Sequence, residues 1–251
     1  MHKLSRRTLC KKSLGSVLTF SLLESLWQTE AFGSDVEPLV SKWVADVDAL
    51  GREVKQQKVS QIIWQQKVEE LFAQVNLNDL LKFVDFSKLT KNIKVPDRGA
   101  RSLKFEFPEV EGIPSNLVFG KQIFALKKGR SVVPHGHNNM ATAFLMLKGD
   151  LHGRHYDRLE DEKEHIIIRP TIDRKFAPGE FSSVSDYKDN IHWFKAESET
   201  AFIFNIHVLD TRPDSAAKTG RVYLNPNGEK LKGGLIRAPR IGHTESNKLF
   251  G

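Results

Sequence analysis

The 251-residue chain contains a single cysteine, Cys10. This excludes an intramolecular disulfide and any zinc site built on thiolates, and if the N-terminal segment is removed it also excludes a thiol nucleophile. The apolar stretch from Leu14 to Leu23 falls short of the roughly 20 residues a membrane-spanning helix needs. The sequence has no internal repeat, no low-complexity tract, no glycine-rich phosphate loop, no Ser/His/Asp elbow and no paired-carboxylate motif. It also lacks a basic stripe interleaved with stacking aromatics. The formal charge is +7, but residues 1–33 hold five Lys/Arg against two Glu, so nearly half of the surplus sits there. The remainder is dispersed in mixed-sign clusters such as Glu160-Asp161-Glu162-Lys163-Glu164, and nucleic-acid binding is therefore not expected. With 39% hydrophobic and 27% charged residues the balance is that of a globular protein long enough to bury a sizeable core, which excludes a disordered chain and a stapled miniprotein.

What is present begins at the N-terminus. Ser5-Arg6-Arg7-Thr8-Leu9-Cys10-Lys11 resembles a twin-arginine export signal. The apolar stretch follows it, and Ala31-Phe32-Gly33 offers the small residues a signal peptidase requires. The expectation is a signal peptide over residues 1–33 read by the Tat export machinery, with a periplasmic or secreted product and no stable membrane insertion. Cys10 precedes the apolar stretch and so cannot bear a lipoprotein anchor. Export of this kind carries proteins already folded, often with a cofactor inserted.

Residues 34–95 read as a helical segment. Leu39, Trp43, Val44, Val47 and Leu50, then Ile62, Ile63, Val68, Leu71, Phe72 and Val75, recur at helical spacing. From residue 96 to 251 the pattern changes to short apolar runs at Leu103 to Phe107, Gln122 to Leu126, Ala143 to Leu147, Ile166 to Ile168 and Ala201 to Leu209, divided by turns such as Lys128-Gly129, Lys148-Gly149-Asp150 and Pro178-Gly179. Short strands without intervening helices predict a mainly β sandwich or small barrel.

Histidine is the residue that stands out. Seven of the nine lie at positions 135, 137, 152, 155, 165, 192 and 207. On a strand, residues two apart share a face, so His135 and His137 can point both imidazoles into one barrel cavity, a chelating geometry. His155, His165 and His207 have no motif partner, and rim or surface positions are expected for them. The spacing around the pair is specific: Gly129, five residues, His135-Gly136-His137, four residues, Thr142, six residues, Gly149. This resembles the first motif of the cupin family, with Thr142 where the motif has Glu. Asp189-Asn190-Ile191-His192 occupies the place of the second motif, which ends in His, without its usual Pro and Gly at Tyr187 and Asp189. The resemblance implies a cupin double-stranded β-helix, a jelly-roll barrel, with His135, His137 and His192 as metal ligands. Three neutral imidazoles on one face of an octahedral ion leave adjacent positions open, an arrangement that suits Fe(II).

Within the cupins, the chain resembles the thiol dioxygenases of the 2-aminoethanethiol dioxygenase and plant cysteine oxidase type. His135, His137, Met140, Gly149, His152, Tyr156 and Asp157 fall at matching spacings, Asn190-Ile191-His192 is the family's Asn-Ile-His, and Gly220-Arg221-Val222-Tyr223 lies where the family has a Gly-Arg-x-x-Tyr segment, a resemblance over roughly residues 96–225. Asn138 stands where that family has Pro, Arg158 where it has Trp and Asn205 where it has Asp. The resemblance implies an Fe(II)-dependent oxidation of a small thiol, cysteamine- or cysteine-like, or of an N-terminal-Cys peptide, by dioxygen to a sulfinate. Tyr156 and Asp157 would wall the pocket and hydrogen-bond substrate or oxygen, and His152 would orient a ligand or substrate. Asn205 would position a substrate amine through its carbonyl. Each also has a plain reading: His152 as a partly exposed strand residue, Tyr156 as a core side chain with a satisfied hydroxyl, Asn205 as a core amide. A three-His cupin dioxygenase of another substrate class, cleaving carbon–carbon bonds, and a non-catalytic metal- or small-ligand-binding cupin remain as alternatives.

Overall fold

The computed structural model describes residues 36–216 and 218–251; the expected signal segment, with Cys10, lies outside the described residues. Glu37–Gly251 form one compact unit.

Helix α1 (Val36–Lys55) buries Val40, Trp43, Val44, Val47, Leu50 and Val54 along one stripe, the i, i+3/i+4 spacing of an amphipathic helix. Helix α2 (Gln61–Gln74) starts where the Ser60 hydroxyl accepts a hydrogen bond from the Ile63 amide at 3.2 Å, which satisfies one of the donors a helix start leaves open. Its buried stripe is Trp64, Val68 and Phe72, whereas Leu39, Ile62 and Ile63 are exposed. The helical period is thus as read from sequence, but at these three positions the apolar side chains face water. Two short helices, α3 (Leu77–Phe83) and α4 (Phe86–Thr90), complete the segment.

The barrel strands are β1 (Arg101–Leu103), β2 (Phe119–Lys127), β3 (Ser131–Asn138), β4 (Met140–Lys148), β5 (Leu151–Asp161), β6 (His165–Phe176), β7 (Phe181–Val184), β8 (Ile191–Ala196), β9 (Thr200–Leu209), β10 (Gly220–Leu224), β11 (Glu229–Lys230) and β12 (Ile236–Ile241), followed by helix α5 (His243–Phe250). They form two sheets, β1-β2-β9-β4-β7 and β10-β3-β8-β5-β6-β12-β11. Between β2 and β9 the pairing is nested: β5 with β6, β4 with β7, β3 with β8 and β2 with β9, all antiparallel. The chain is therefore one long hairpin whose two arms stay paired while crossing from sheet to sheet, which defines a double-stranded β-helix, the cupin-type jelly roll.

Alternation along β9 positions the helices and the cavity together. Phe202 and Phe204 face the helical side, where Phe86 and Trp43 meet them with ring centroids 5.0 and 6.3 Å apart. Ala201 and Ile203 face inward into a core with Leu126, Phe144, Met146, Leu151, Phe176 and Phe194. A strand buried on both faces reads as a continuous apolar run, as Ala201 to Phe204 does. The run Leu103 to Phe107 behaves differently. Only its first residue is in a strand, and Phe105 and Phe107 instead pack edge to face at 5.4 Å.

Strand β10 also pairs with β12, so β10-β3-β8-β5-β6-β12 closes on itself. On the face of this sheet turned away from the barrel interior, Tyr156, Ile166, Ile168, Ile191, Trp193, Leu224, Ile236 and Ala238 form a second core.

Candidate metal centre

Strand β3 brings His135 and His137 to its inward face, and β8 brings His192 directly opposite His135 in register. Their ring centroids lie 5.0 Å (His135–His137), 4.4 Å (His135–His192) and 4.9 Å (His137–His192) apart. One ligand atom from each lies within 4.8 Å of the others, and all three residues are buried. Among the described residues this is the group of His, Cys, Asp or Glu side chains able to hold an ion.

The hydrogen bonds decide which nitrogen is free. His135 Nδ1 sits 2.8 Å from the Val133 carbonyl oxygen and His192 Nδ1 3.1 Å from that of Asn190. A carbonyl only accepts, so both Nδ1 atoms carry the proton and both Nε2 atoms hold a bare lone pair. His137 Nδ1 lies 3.1 Å from the Thr142 hydroxyl, leaving its Nε2 for the centre as well. His137 Nε2 and His192 Nε2 are buried without a hydrogen-bond partner. Orphaned polar atoms at this depth are rare and costly, and a cation on the nitrogens removes the cost. Burial holds His135 down to about 4 and pushes His137 and His192 well below the usual imidazole value; neighbouring histidines act in the same direction on all three, and Arg221 on His135 and His137. The three imidazoles are thus neutral at pH 7, the form that ligates a metal. An all-imidazole donor set fits a first-row transition ion such as Fe, Zn, Cu or Ni, and not Mg or Ca.

Neighbouring residues fix this geometry. A Cβ on Gly136 would stand 2.4 Å from Ile191 Cδ1 and 2.5 Å from Asn190 Oδ1, so a larger residue between the two histidines would force the ends of those two side chains to move. The Asn190 amide donates to the carbonyls of His137 (2.9 Å) and Ser185 (2.8 Å), and its Oδ1 accepts from the His137 amide at 3.2 Å. Asp189, in the place where the cupin motif has Gly, adopts φ +55°, a left-handed conformation that Asp tolerates better than most residues.

Of the other residues singled out from sequence, Asn205 lines the same cavity, of about 410 Å³, with its Oδ1 accepting from Gln122 Nε2 at 3.2 Å. His152, Tyr156 and Asp157 do not line it. On β5, Leu151, Gly153 and His155 face inward, which turns His152 and Tyr156 outward. Tyr156 is a member of the second core, and His152, half-buried, bonds Asp173. Asp157 accepts from the Asp189 amide at 3.0 Å and from Arg169 at 2.7 Å, and so supports the turn ahead of His192 rather than the pocket wall. His155 and His207, expected at the rim or surface, are placed further in. His155 is fully buried, its ring stacked near Phe176 and 6.1 Å from that of His192, with neither nitrogen hydrogen-bonded; burial pushes it down to about 3. His207 covers Gly120 and lines the cavity. His165 is half-buried near Glu162. Tyr223, Arg221 and His243 line the cavity too. Tyr223 and Arg221 face His135 and His137 across β10–β3, and the alternation of that strand is the signal in the sequence that leads to them.

No protein-family model matches the sequence, and no curated protein does either. Among solved structures the chain is similar to procruciferin, an 11S globulin from Brassica napus, at 12% identity and a TM-score of 0.32, over 43% of this chain and 23% of that one. It is similar to a cupin superfamily protein from Desulfitobacterium hafniense at 14% and 0.31, over 47% of this chain and 84% of the other. A conserved protein with a double-stranded β-helix domain from Klebsiella pneumoniae matches at 7% and 0.36, over 53% and 85%. The chain thus spans less than a quarter of the length of procruciferin. The nested strand pairing and the three-histidine cluster define a cupin barrel with a centre able to hold a metal ion.

Proposed function

We propose that this cupin barrel is a mononuclear non-haem iron dioxygenase that oxidises a small thiol, R–SH + O2 → R–SO2H. The observation that carries the reading is the set of three histidines with their Nδ1 atoms engaged, their Nε2 atoms left free and one ligand atom of each within 4.8 Å of the others, with no carboxylate in the donor set. The resemblance of the sequence around these residues to thiol dioxygenases supports the thiol. His135, His137 and His192 would hold ferrous iron, which would supply the redox chemistry needed to add both oxygen atoms to the sulfur.

The remaining work falls to side chains of this chain. The carbonyls of Val133 and Asn190 and the Thr142 hydroxyl hold the three rings in one tautomer and orientation. Phe124, Val133, Met140 and Phe144 give the cavity an apolar wall, which limits water beside the reacting sulfur. Gln122 and Asn205 set a neutral polar group beside Phe124 and Phe144, on the sheet opposite the histidine-bearing strands.

Oxygen uptake by anaerobically iron-loaded protein, measured with a panel of small thiols and N-terminal-Cys peptides alongside mass spectrometry of the product, tests this. The expected result is one dioxygen consumed per sulfinate formed. Iron bound at full occupancy with no uptake for any thiol would leave a metal-binding cupin without this activity.

A further inference from the structure

The cavity holds charge of one sign only. None of the residues that line it is Asp or Glu, while Arg98 and Arg221 both reach it. Neither guanidinium has a hydrogen bond or ion pair with a described residue, in a protein where most arginines on the barrel have one: Arg154 with Asp173, Arg158 with Asp161, Arg169 with Asp157, Arg237 with Glu162. Asp97, beside Arg98 in sequence, turns instead to Lys127 Nζ at 2.5 Å. Arg221 is placed by strand register. It pairs with His137 across β10–β3, and Tyr223 pairs with His135, so both side chains stand on the same face as the metal ligands. The Tyr223 ring is 5.9 Å from that of His135 and 5.1 Å from that of His243, which makes the wall next to Arg221 aromatic and rich in donors. A free guanidinium beside a cavity with no internal counter-charge is a ready partner for a carboxylate, which it can grip through two parallel hydrogen bonds. An ammonium finds the reverse: no anion to pair with, a neutral amide at Asn205, and cations at the mouth. The cavity, at about 410 Å³, lies at the small end of ligand pockets, which run from roughly 300 to 1,000 Å³.

We infer that the substrate is a small acid, a thiol bearing a carboxylate, and that Arg221 is the residue that holds this carboxylate next to the three-histidine centre. The inference rests on the reading of that centre as the reaction site, and it separates carboxylate-bearing from amine-bearing thiols.

Three thiols of one length distinguish the cases: 3-mercaptopropionate, 2-mercaptoethanol and 2-aminoethanethiol, titrated calorimetrically into the full chain under anaerobic conditions, metal-loaded and metal-free. Because a charge-assisted bidentate contact is at stake, 3-mercaptopropionate is expected to bind about tenfold or more tighter than 2-aminoethanethiol. That preference should collapse in Arg221→Gln and persist in part in Arg221→Lys, with metal content unchanged in both. Equal or reversed affinities in the wild type overturn the inference, and a preference that survives Arg221→Gln overturns the assignment of Arg221. The outcome is separable from that of the oxygen measurement. Arg221-dependent carboxylate binding without oxygen uptake removes the dioxygenase and keeps the anion subsite, and sulfinate formed equally from all three thiols does the opposite.

Discussion

His137 depends on a hydroxyl for its orientation, whereas His135 and His192 use carbonyls that no side-chain substitution removes. This makes Thr142 the point at which the lock can be tested. Thr142→Val keeps the shape and removes the partner 3.1 Å from His137 Nδ1, and loss of such an orienting contact typically weakens metal affinity by about 10- to 100-fold. Competition with a chelator measures it, and wild-type affinity in the variant would show that Thr142 does not orient the ring. The residue also explains why the missing Glu of the cupin motif does not dismantle the site: the position has become a support of a ligand. At this scale the sequence was legible where parity on a strand decides the matter, as for His135 and His137. It was not legible on β5, where motif spacing points to His152 and Tyr156 but inward parity belongs to Leu151, Gly153 and His155, and an extra residue, Leu159, between Arg158 and Glu160 resets the count beyond. His155 is the cost of that ambiguity, a buried imidazole with both nitrogens unpartnered that nothing in its immediate neighbours announces.

Strands β3 and β8 form the element on which the centre stands, and their approach is set by the absence of a side chain at Gly136. With Ile191 Cδ1 and Asn190 Oδ1 at 2.4 and 2.5 Å from where a Cβ would be, Gly136→Ala must shift the Ile191 side chain and displace the Asn190 amide from the His137 backbone. Overpacking of this kind costs about 1–3 kcal/mol. Denaturant unfolding of the metal-free protein should show that loss, and an unchanged midpoint would mean the Asn190 clamp yields freely. Which runs become strands was readable for β2, β4, β6 and β9, whose apolar clusters are bounded by turns. The run at Leu103 to Phe107 alternates as well, yet it leaves the sheet after β1 because its phenylalanines pack with each other and with Phe204. Periodicity reports which side chains seek burial; whether the backbone also finds a partner strand depends on segments far away in sequence.

For the molecule as a whole, the helical segment and the barrel share one core boundary. The helices cover the outer face of the sheet that carries Phe202 and Phe204, leaving the inner face to the cavity. The mouth of that cavity is built last, by β10 and α5, from residues about 80 to 110 positions after the first ligands. Long-range pairing of this kind is why His243 has no local motif, and why Gly220-Arg221-Val222-Tyr223, although part of the family resemblance, shows no role at the cavity until β10 is paired with β3. The central claim is that the barrel carries one transition-metal site made by three histidines, and metal analysis of protein reconstituted anaerobically with Fe(II) tests it most directly. One iron per chain is expected, falling to a small fraction of that in His135→Ala, His137→Ala and His192→Ala, since each variant removes one of three protein ligands. His152→Ala, on the outer face, should retain the full complement. Full occupancy in the His192→Ala protein would contradict the account.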